Sequence, residues 1–235
     1  MNTKDKHKVL GVRHLTENTF CLQVERDGFE FVPGQCVNIG MAKTGINREY
    51  SSYSSVNDSK KMEFLIRAVE GGAVSSALQK MKKGDHVQLD GAYGKFTLKD
   101  PEDRKTKYIF VASGTGIAPF HSFAMSYPNL NYQVLHGVRY ENEQYDKKDY
   151  KKGSYIGCVS RVEKIPPTAK QLGGQVKKQN GGVFSGRVTD YLRTNGVDKK
   201  ATYYLCGNTD MINEVYDILR ENGVNGDQIF TEVFF

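Results

Sequence analysis

The sequence predicts a two-domain chain: an antiparallel Greek-key β-barrel over residues 1–100, then a parallel-sheet α/β domain over 106–235. Three observations carry that expectation. Up to residue 98 the apolar pattern has a period of two and is cut at short intervals by turn residues. Beyond 106, strands alternate with helices, the order that builds a parallel sheet. Between the two lies Asp100-Pro-Glu-Asp-Arg-Lys-Thr-Lys107, a polar, charged stretch that reads as a linker. At 235 residues, 38% apolar and 26% charged, the chain can bury one or two packed cores and is not a disordered composition.

In the first half, Phe20, Leu22 and Val24 alternate with Thr19, Cys21, Gln23 and Glu25, the mark of a half-buried strand. Pro33-Gly34 turns the chain into Gln35–Ile39, and Glu49–Ser55 and Met62–Val69 continue the series around Asn57-Asp58. Val74, Leu78 and Met81 stand at helical spacing and predict one short helix. Gly84-Asp85 then turns into a strand over His86–Leu89. Short strands at such spacing with a single helix suggest a small closed barrel.

The second half starts at Tyr108–Ala112, a short apolar run that reads as a buried strand and feeds Gly114-Thr115-Gly116. Pro119 suits the first turn of the following helix. Strands follow over Tyr132–Val138, Tyr155–Ser160, Thr202–Cys206 and Gln228–Phe235. A helix over 209–222 places Met211, Val215, Ile218, Leu219 and Asn222 along one side, with Thr209 or Asp210 to cap it and Gly223 to close it. Residues 161–187, with Pro166-Pro167, Gly173-Gly174 and Gly181-Gly182, show no periodicity. A connection that long is functional or mobile, or else argues against the element assignment. Its first twenty residues set Arg161, Lys164, Lys170, Lys177 and Lys178 against Glu163 alone, which reads as a solvated loop or as a contact for an anionic partner.

Composition excludes several classes. The net charge of +6 favours acidic partners or phosphorylated ligands, yet the lysines are dispersed and no nucleic-acid-binding pattern accompanies them. Cys21, Cys36, Cys158 and Cys206 are far apart and form no C-x-x-C pair, so neither a zinc ribbon nor a [2Fe–2S] cluster is encoded. Scattered single thiols fit a reducing compartment. The opening Met1–Lys8 has no apolar core, and no run approaches a membrane span, so a soluble, cytoplasmic protein is expected.

Three constellations carry chemistry. A glycine corner feeding a helix permits positive φ and offers N–H groups and a partial positive charge to phosphate. Arg48-Glu-Tyr50-Ser51 ends a barrel strand with a forked cation, a flat ring and a small hydroxyl. Gly71-Gly72-Ala-Val74-Ser75 opens the short helix and could cradle a second phosphate or simply cap that helix.

Together these pieces resemble the ferredoxin–NADP⁺ reductase family. The matching residues run in the family's order: Pro33-Gly34-Gln35, Arg48-x-Tyr50-Ser51, Gly72-x-Val74-Ser75, Gly84-Asp85, Gly114-Thr-Gly-Ile-Ala-Pro119, Cys206-Gly207-Asn208 with Met211, and Glu232-Val-Phe-Phe235. The resemblance implies a flavin barrel and a Rossmann-like NADP⁺ domain, with nicotinamide meeting isoalloxazine in a cleft between them. It implies that Arg48 holds a flavin phosphate, Tyr50 packs on the ring and Ser51 lies near its N5. Gly72, Val74 and Ser75 would serve the flavin pyrophosphate, and Thr115 and Gly116 the NADP⁺ pyrophosphate. Cys206 would touch the nicotinamide, with Glu232 as the carboxylate beside it. Phe235, with Phe234 beside it, would cover the flavin; the alternative is a terminal strand whose aromatics fill the core.

Coenzyme choice follows from the strand ends. An NAD site wants an acidic residue about twenty positions after the glycine corner. Here the second strand ends in His136-Gly-Val-Arg139 and the third in Ser160-Arg161, with Glu141 as the nearby acidic residue. Two arginines and a hydroxyl suit a 2′-phosphate, so NADPH is the expected co-substrate. Gly91-Ala-Tyr-Gly-Lys-Phe96 stands where relatives show Gly-Pro-x-Gly-x-Phe. That leaves the adenine half of FAD unplaced and keeps FMN open behind FAD. The expected function is an FAD-dependent reductase exchanging hydride with NADPH and single electrons with an acidic ferredoxin or flavodoxin. The alternatives are a reductase of free flavin, a quinone or an oxygenase component, and a non-catalytic flavin- or nucleotide-binding regulatory module.

Overall fold

Alternation of apolar and polar side chains builds the first unit. In the computed structural model, which describes residues 6–41, 45–161 and 182–234, it contains six strands. These are β1 (Lys6–His14), β2 (Thr19–Glu25), β3 (Cys36–Met41), β4 (Asn47–Ser51), β5 (Lys61–Arg67) and β6 (His86–Tyr93). Their order is β4-β3-β6-β1-β2-β5 and every pairing is antiparallel. The outer strands meet through a Ser52–Phe64 bridge and a Tyr53 N–H bond to the Glu63 carbonyl at 2.8 Å, which closes the barrel. Inside it Phe20, Leu22, Val24, Ile39, Phe64 and Leu89 interdigitate. Helix α1 (Ser75–Gln79) sends Leu78, and Val74 just before it, into the same core. Strand β2 is more enclosed than its alternation predicts, since Thr19 and Cys21 are buried along with Phe20 and Leu22.

Helix α2 (Ala118–Ser126) groups with this barrel unit. His121 donates from Nδ1 to the Tyr53 carbonyl at 2.7 Å, and its ring stacks on Tyr53 at 3.9 Å. Ser122 Oγ donates to the Ser54 carbonyl at 2.7 Å, and Ser126 Oγ accepts the Val56 N–H at 2.9 Å. Phe120 and Phe123 pack on Phe96. The helix thus clamps the chain that leaves β4.

The second unit, Pro101–Ile117 with the chain from Asn129 onward, is a wholly parallel sheet. Strands β7 (Tyr108–Ser113), β8 (Tyr132–Val138), β9 (Tyr155–Val159), β10 (Gly182–Ser185), β11 (Thr202–Gly207) and β12 (Ile229–Val233) run in the order β10-β9-β8-β7-β11-β12. One face carries Ile109, Val111, Leu135, Phe184 and Leu205 against helices α3 (Val188–Asn195) and α4 (Thr209–Glu221). The other is aromatic: Tyr108, Phe110, Tyr132 and Tyr204 lie ring to ring at 5.8–6.2 Å.

The expected fold class is what forms, with two corrections of detail. Strand β10 and helix α3 are absent from the sequence reading. The strand has four residues beginning at a glycine, and the helix buries only Val188, Thr189 and Leu192, too few to establish a period. Helix α4 is capped not by Thr209 or Asp210 but by Asn208, whose Oδ1 accepts the Met211 N–H at 2.8 Å. Gly223 closes it as expected, at φ +83°, with the Val224 N–H reaching back to the Leu219 carbonyl at 3.0 Å. Replacing Asn208 by Ala should therefore lower stability by about 1 kcal/mol. Denaturant unfolding checks this, with a shifted midpoint and an unchanged slope as the expected outcome.

Candidate functional site

The barrel's contribution starts on β4, where Arg48 pairs with Ile39, Tyr50 with Val37 and Ser51 with Cys36. The two-residue repeat puts Arg48 and Tyr50 on one face and Ser51 on the other. Arg48 is exposed and donates from Nη1 to the Asn47 carbonyl at 2.8 Å. Tyr50 is half-buried, and burial pushes its phenol up to about 12 against the opposing pull of Arg48, so it stays a neutral ring. Ser51 is buried. Because β4 and β5 run antiparallel across the Ser52–Phe64 bridge, the end of β5 lies at the same rim as Arg48.

The turn after β5 therefore joins that rim. Gly71 stands at φ +72°, and the Gly72 N–H closes onto the Val69 carbonyl at 2.9 Å. Ser75 Oγ accepts the Val69 N–H at 3.1 Å, and Ser76 Oγ donates to the Val69 carbonyl at 3.0 Å. Buried Val74 anchors the turn to the core. Arg48, Tyr50, Gly72, Val74 and Ser75 are thus brought to one end of the barrel.

In the second unit β7 lies between β8 and β11, where the order of the sheet reverses. Such a switch point opens a crevice at the carboxyl ends of the strands. The corner is a 3₁₀ turn, Gly114–Ile117, with Gly114 at φ +54°. A Cβ on Gly116 would fall onto the Cys206 carbonyl. Opposite, Gly207 has φ +143°, and a Cβ there would collide with Ser113 Oγ. That hydroxyl oxygen accepts from the Asn208 N–H at 3.0 Å and from Asn208 Nδ2 at 3.1 Å. Half-buried Thr115 sits on the turn itself.

Cys206 and Glu232 are register partners on β11 and β12, with Sγ 4.0 Å from Oε2. Burial, then the Glu232 charge, holds the Cys206 thiol well above its ordinary range, so it is an S–H donor to the carboxylate. The Phe234 N–H bonds to the Gly207 carbonyl at 2.8 Å, which carries the chain back to the switch point. Phe235, expected as a flavin cover, lies outside the described residues.

Beneath the corner sits a histidine to which the sequence assigned no role. His136 is fully buried, with Nε2 at 2.8 Å from the Gly114 carbonyl and Nδ1 at 2.8 Å from the Tyr155 hydroxyl. Burial drives its pKa down to about 4, so the ring is neutral.

The next two strand ends hold the predicted cations together. Ser160 bonds from N–H to the Val138 carbonyl at 3.0 Å and Arg161 to that of Arg139 at 2.8 Å, so Arg139, Ser160 and Arg161 share one exposed edge. Glu143, rather than Glu141, takes up the turn, accepting the N–H groups of Arg139 and Tyr140 at 2.8 and 3.0 Å. Tyr140 is 42% exposed, and the Arg161 guanidinium lies 6.0 Å from its ring centre. One residue the sequence reading missed belongs here. The Gly186 N–H bonds to the Val159 carbonyl at 2.9 Å and delivers exposed Arg187 to the neighbouring strand end. Its signal was Ser-Gly-Arg directly before the apolar pair Val188 and Leu192. The basic residues Lys164, Lys170, Lys177 and Lys178 lie outside the described residues.

Comparison with known proteins agrees with this geometry. Residues 8–98 match the oxidoreductase FAD-binding domain family. The reductase component of propane 2-monooxygenase from Rhodococcus jostii is 28% identical over 243 residues, 97% of this chain and 62% of that protein. The flavodoxin/ferredoxin–NADP reductase of Buchnera aphidicola (subsp. Schizaphis graminum) is 28% identical over 250 residues, 94% of this chain and 92% of that one. The crystal structure of a ferredoxin NADP⁺ reductase from Neisseria gonorrhoeae superposes with a TM-score of 0.77 at 20% identity, covering 98% of both chains. The family resemblance drawn from the motifs is borne out: residues 8–98 match an oxidoreductase FAD-binding domain, and the chain is similar along nearly its whole length to a flavodoxin/ferredoxin–NADP reductase. It spans 62% of the length of its monooxygenase relative. Among the described residues no helix is long and apolar enough to cross a membrane.

Two expected outcomes follow from the corner. Gly116→Ala forces a Cβ into backbone that has no room to yield, so the variant should lose soluble yield or unfold several degrees early in a thermal melt. His136 makes stability pH-dependent: the unfolded ring protonates at its ordinary 6.5, the folded ring only near 4. The unfolded chain alone binds the proton between those values, so stability falls as pH drops through that window, by ~3 kcal/mol for this group at its lower end. His136→Gln should remove that share of the slope, read from paired denaturant unfolding curves at several pH values.

Proposed function

We propose that the chain is an NADPH-dependent flavoprotein reductase whose barrel, residues 1–100, holds FAD and whose α/β domain, residues 106–235, holds NADPH. Its electrons pass singly to a ferredoxin or flavodoxin. The observation that carries this reading is the pairing of an FAD-binding barrel with a switch-point glycine corner whose neighbouring strand ends bring Arg139 and Arg161 together, Glu143 being taken up by backbone N–H groups. When bound, the flavin supplies the conversion between a two-electron hydride donor and one-electron carriers.

The residues at the barrel rim fit FAD. Arg48 is an exposed forked donor for a flavin phosphate and Tyr50 a neutral face for the ring, while Ser51, buried on the other face of β4, would reach the flavin only where the strand ends. The Gly72–Ser75 turn, fixed by Val74, serves the pyrophosphate. In the second unit, Thr115 and Gly116 receive the NADPH pyrophosphate at a close-packed glycine corner. Arg139, Ser160, Arg161 and Arg187 select the 2′-phosphate, while Glu143 is held on backbone N–H groups and away from the role a ribose-binding acid would play. Tyr140 offers a flat face for adenine. The Cys206 thiol and Glu232 carboxylate position the nicotinamide, the thiol staying protonated at neutral pH.

A second reading is a reductase component that feeds an oxygenase, supported by the likeness to the propane monooxygenase reductase. The same measurement separates both from a regulatory binding module. The purified protein should be yellow, bleach within milliseconds to seconds of mixing with NADPH, and reduce ferredoxin or flavodoxin at a rate that falls with ionic strength. A flavin that stays oxidised would sink both catalytic readings, and reduction without transfer to either carrier would favour the oxygenase one.

Two substitutions test the assignments. Arg48→Ala should lower the fraction of purified protein that retains flavin, read from the ratio of visible to ultraviolet absorbance. Arg139→Ala with Arg161→Ala should narrow the NADPH-over-NADH preference in kcat/KM by about tenfold or more, since each charge-assisted phosphate contact is of that order. An unchanged ratio would remove the 2′-phosphate from those arginines.

A further inference from the structure

Neutral imidazole has one N–H and one lone pair, so its partners decide which nitrogen carries the proton. The Gly114 carbonyl can only accept, which places the proton of His136 on Nε2. Nδ1 then presents its lone pair, and the Tyr155 hydroxyl must donate to it. The result is a directed relay from the Tyr155 O–H through the imidazole to the carbonyl of the first corner glycine. Burying two polar ring nitrogens on β8 costs desolvation that an apolar side chain would not, and here both nitrogens have partners.

What the relay fixes is a peptide plane. In a trans peptide the carbonyl and the following N–H point in opposite directions. His136 draws the Gly114 carbonyl towards the buried interior, so the Thr115 N–H is turned the other way. Gly114 needs this help because at φ +54° a glycine has shallow alternatives on either side. We propose that His136 is a positioning residue for the dinucleotide site: through the Gly114 carbonyl, and oriented by Tyr155, it aims the Thr115 N–H at the pyrophosphate of the bound nucleotide. The inference rests on the reading of the corner as the NADPH site.

The test is calorimetric titration of the flavin-loaded protein with NADP⁺ and with 2′-AMP, which carries the 2′-phosphate but no pyrophosphate. His136→Phe should raise the Kd for NADP⁺ about tenfold, the order of one lost phosphate hydrogen bond, and leave that for 2′-AMP unchanged. His136→Gln, whose amide N–H still reaches the Gly114 carbonyl, should restore most of the NADP⁺ affinity. Equal weakening of both ligands by His136→Phe, or no rescue by His136→Gln, would overturn the positioning role in favour of a purely structural one. Should His136→Phe fail to fold, Tyr155→Phe decides: it should weaken NADP⁺ and spare 2′-AMP, and an unaltered NADP⁺ Kd overturns the relay. A wild-type protein that binds neither ligand removes the nucleotide reading, and this inference with it.

Discussion

Two stretches of backbone touch at the centre of the second unit, and side chains would keep them apart. Ser113–Gly116 leaves β7 and Cys206–Asn208 leaves β11, and the contact exists because neither Gly116 nor Gly207 has a Cβ. Gly207 further requires a φ of +143°, which L-residues rarely adopt. The local structure of the second unit's corner depends on that contact. It sets the entry to α4 through Asn208, holds Ser113 between two donors, and leaves the Cys206 thiol alongside Glu232.

Polar groups around the corner are matched with little slack. The Gly114 carbonyl has an imidazole, the imidazole has a phenol, and the Gly207 carbonyl has the Phe234 N–H. In a buried, weakly screening setting such chains rigidify what they join. The barrel uses a looser device: a turn tied by Ser75 and Ser76 hydroxyls and anchored by one valine.

Much of this was legible in the sequence because the relevant signals are local. Period-two alternation marked the barrel strands, and a five-residue apolar run ending in Gly-x-Gly marked β7 and its corner. The strand-end arginines could be seen because His136-Gly-Val-Arg139 and Ser160-Arg161 end recognisable strands. Arg187 could not, since β10 is too short to announce a strand end. Asn208 was passed over as a cap because Thr209 and Asp210 are equally good candidates by type and stand one and two residues later; register with Ser113 decides among them. His136 read as a strand residue because its role depends on Gly114 and Tyr155, respectively 22 and 19 positions away. Non-local pairing is what a linear pattern does not encode.

Helix α2 has a consequence for how such a chain can be rebuilt or inherited. It follows the glycine corner directly in sequence, yet through Tyr53, Ser54 and Val56 it belongs to the barrel unit, so the polypeptide passes back and forth between the two units. A single cut at the linker separates α2 from the barrel unit it belongs to. A recombination joint at the charged linker would strand Phe120 and Phe123 without the barrel surface they cover, and a swap of one module for another must exchange that helix together with the strands it grips.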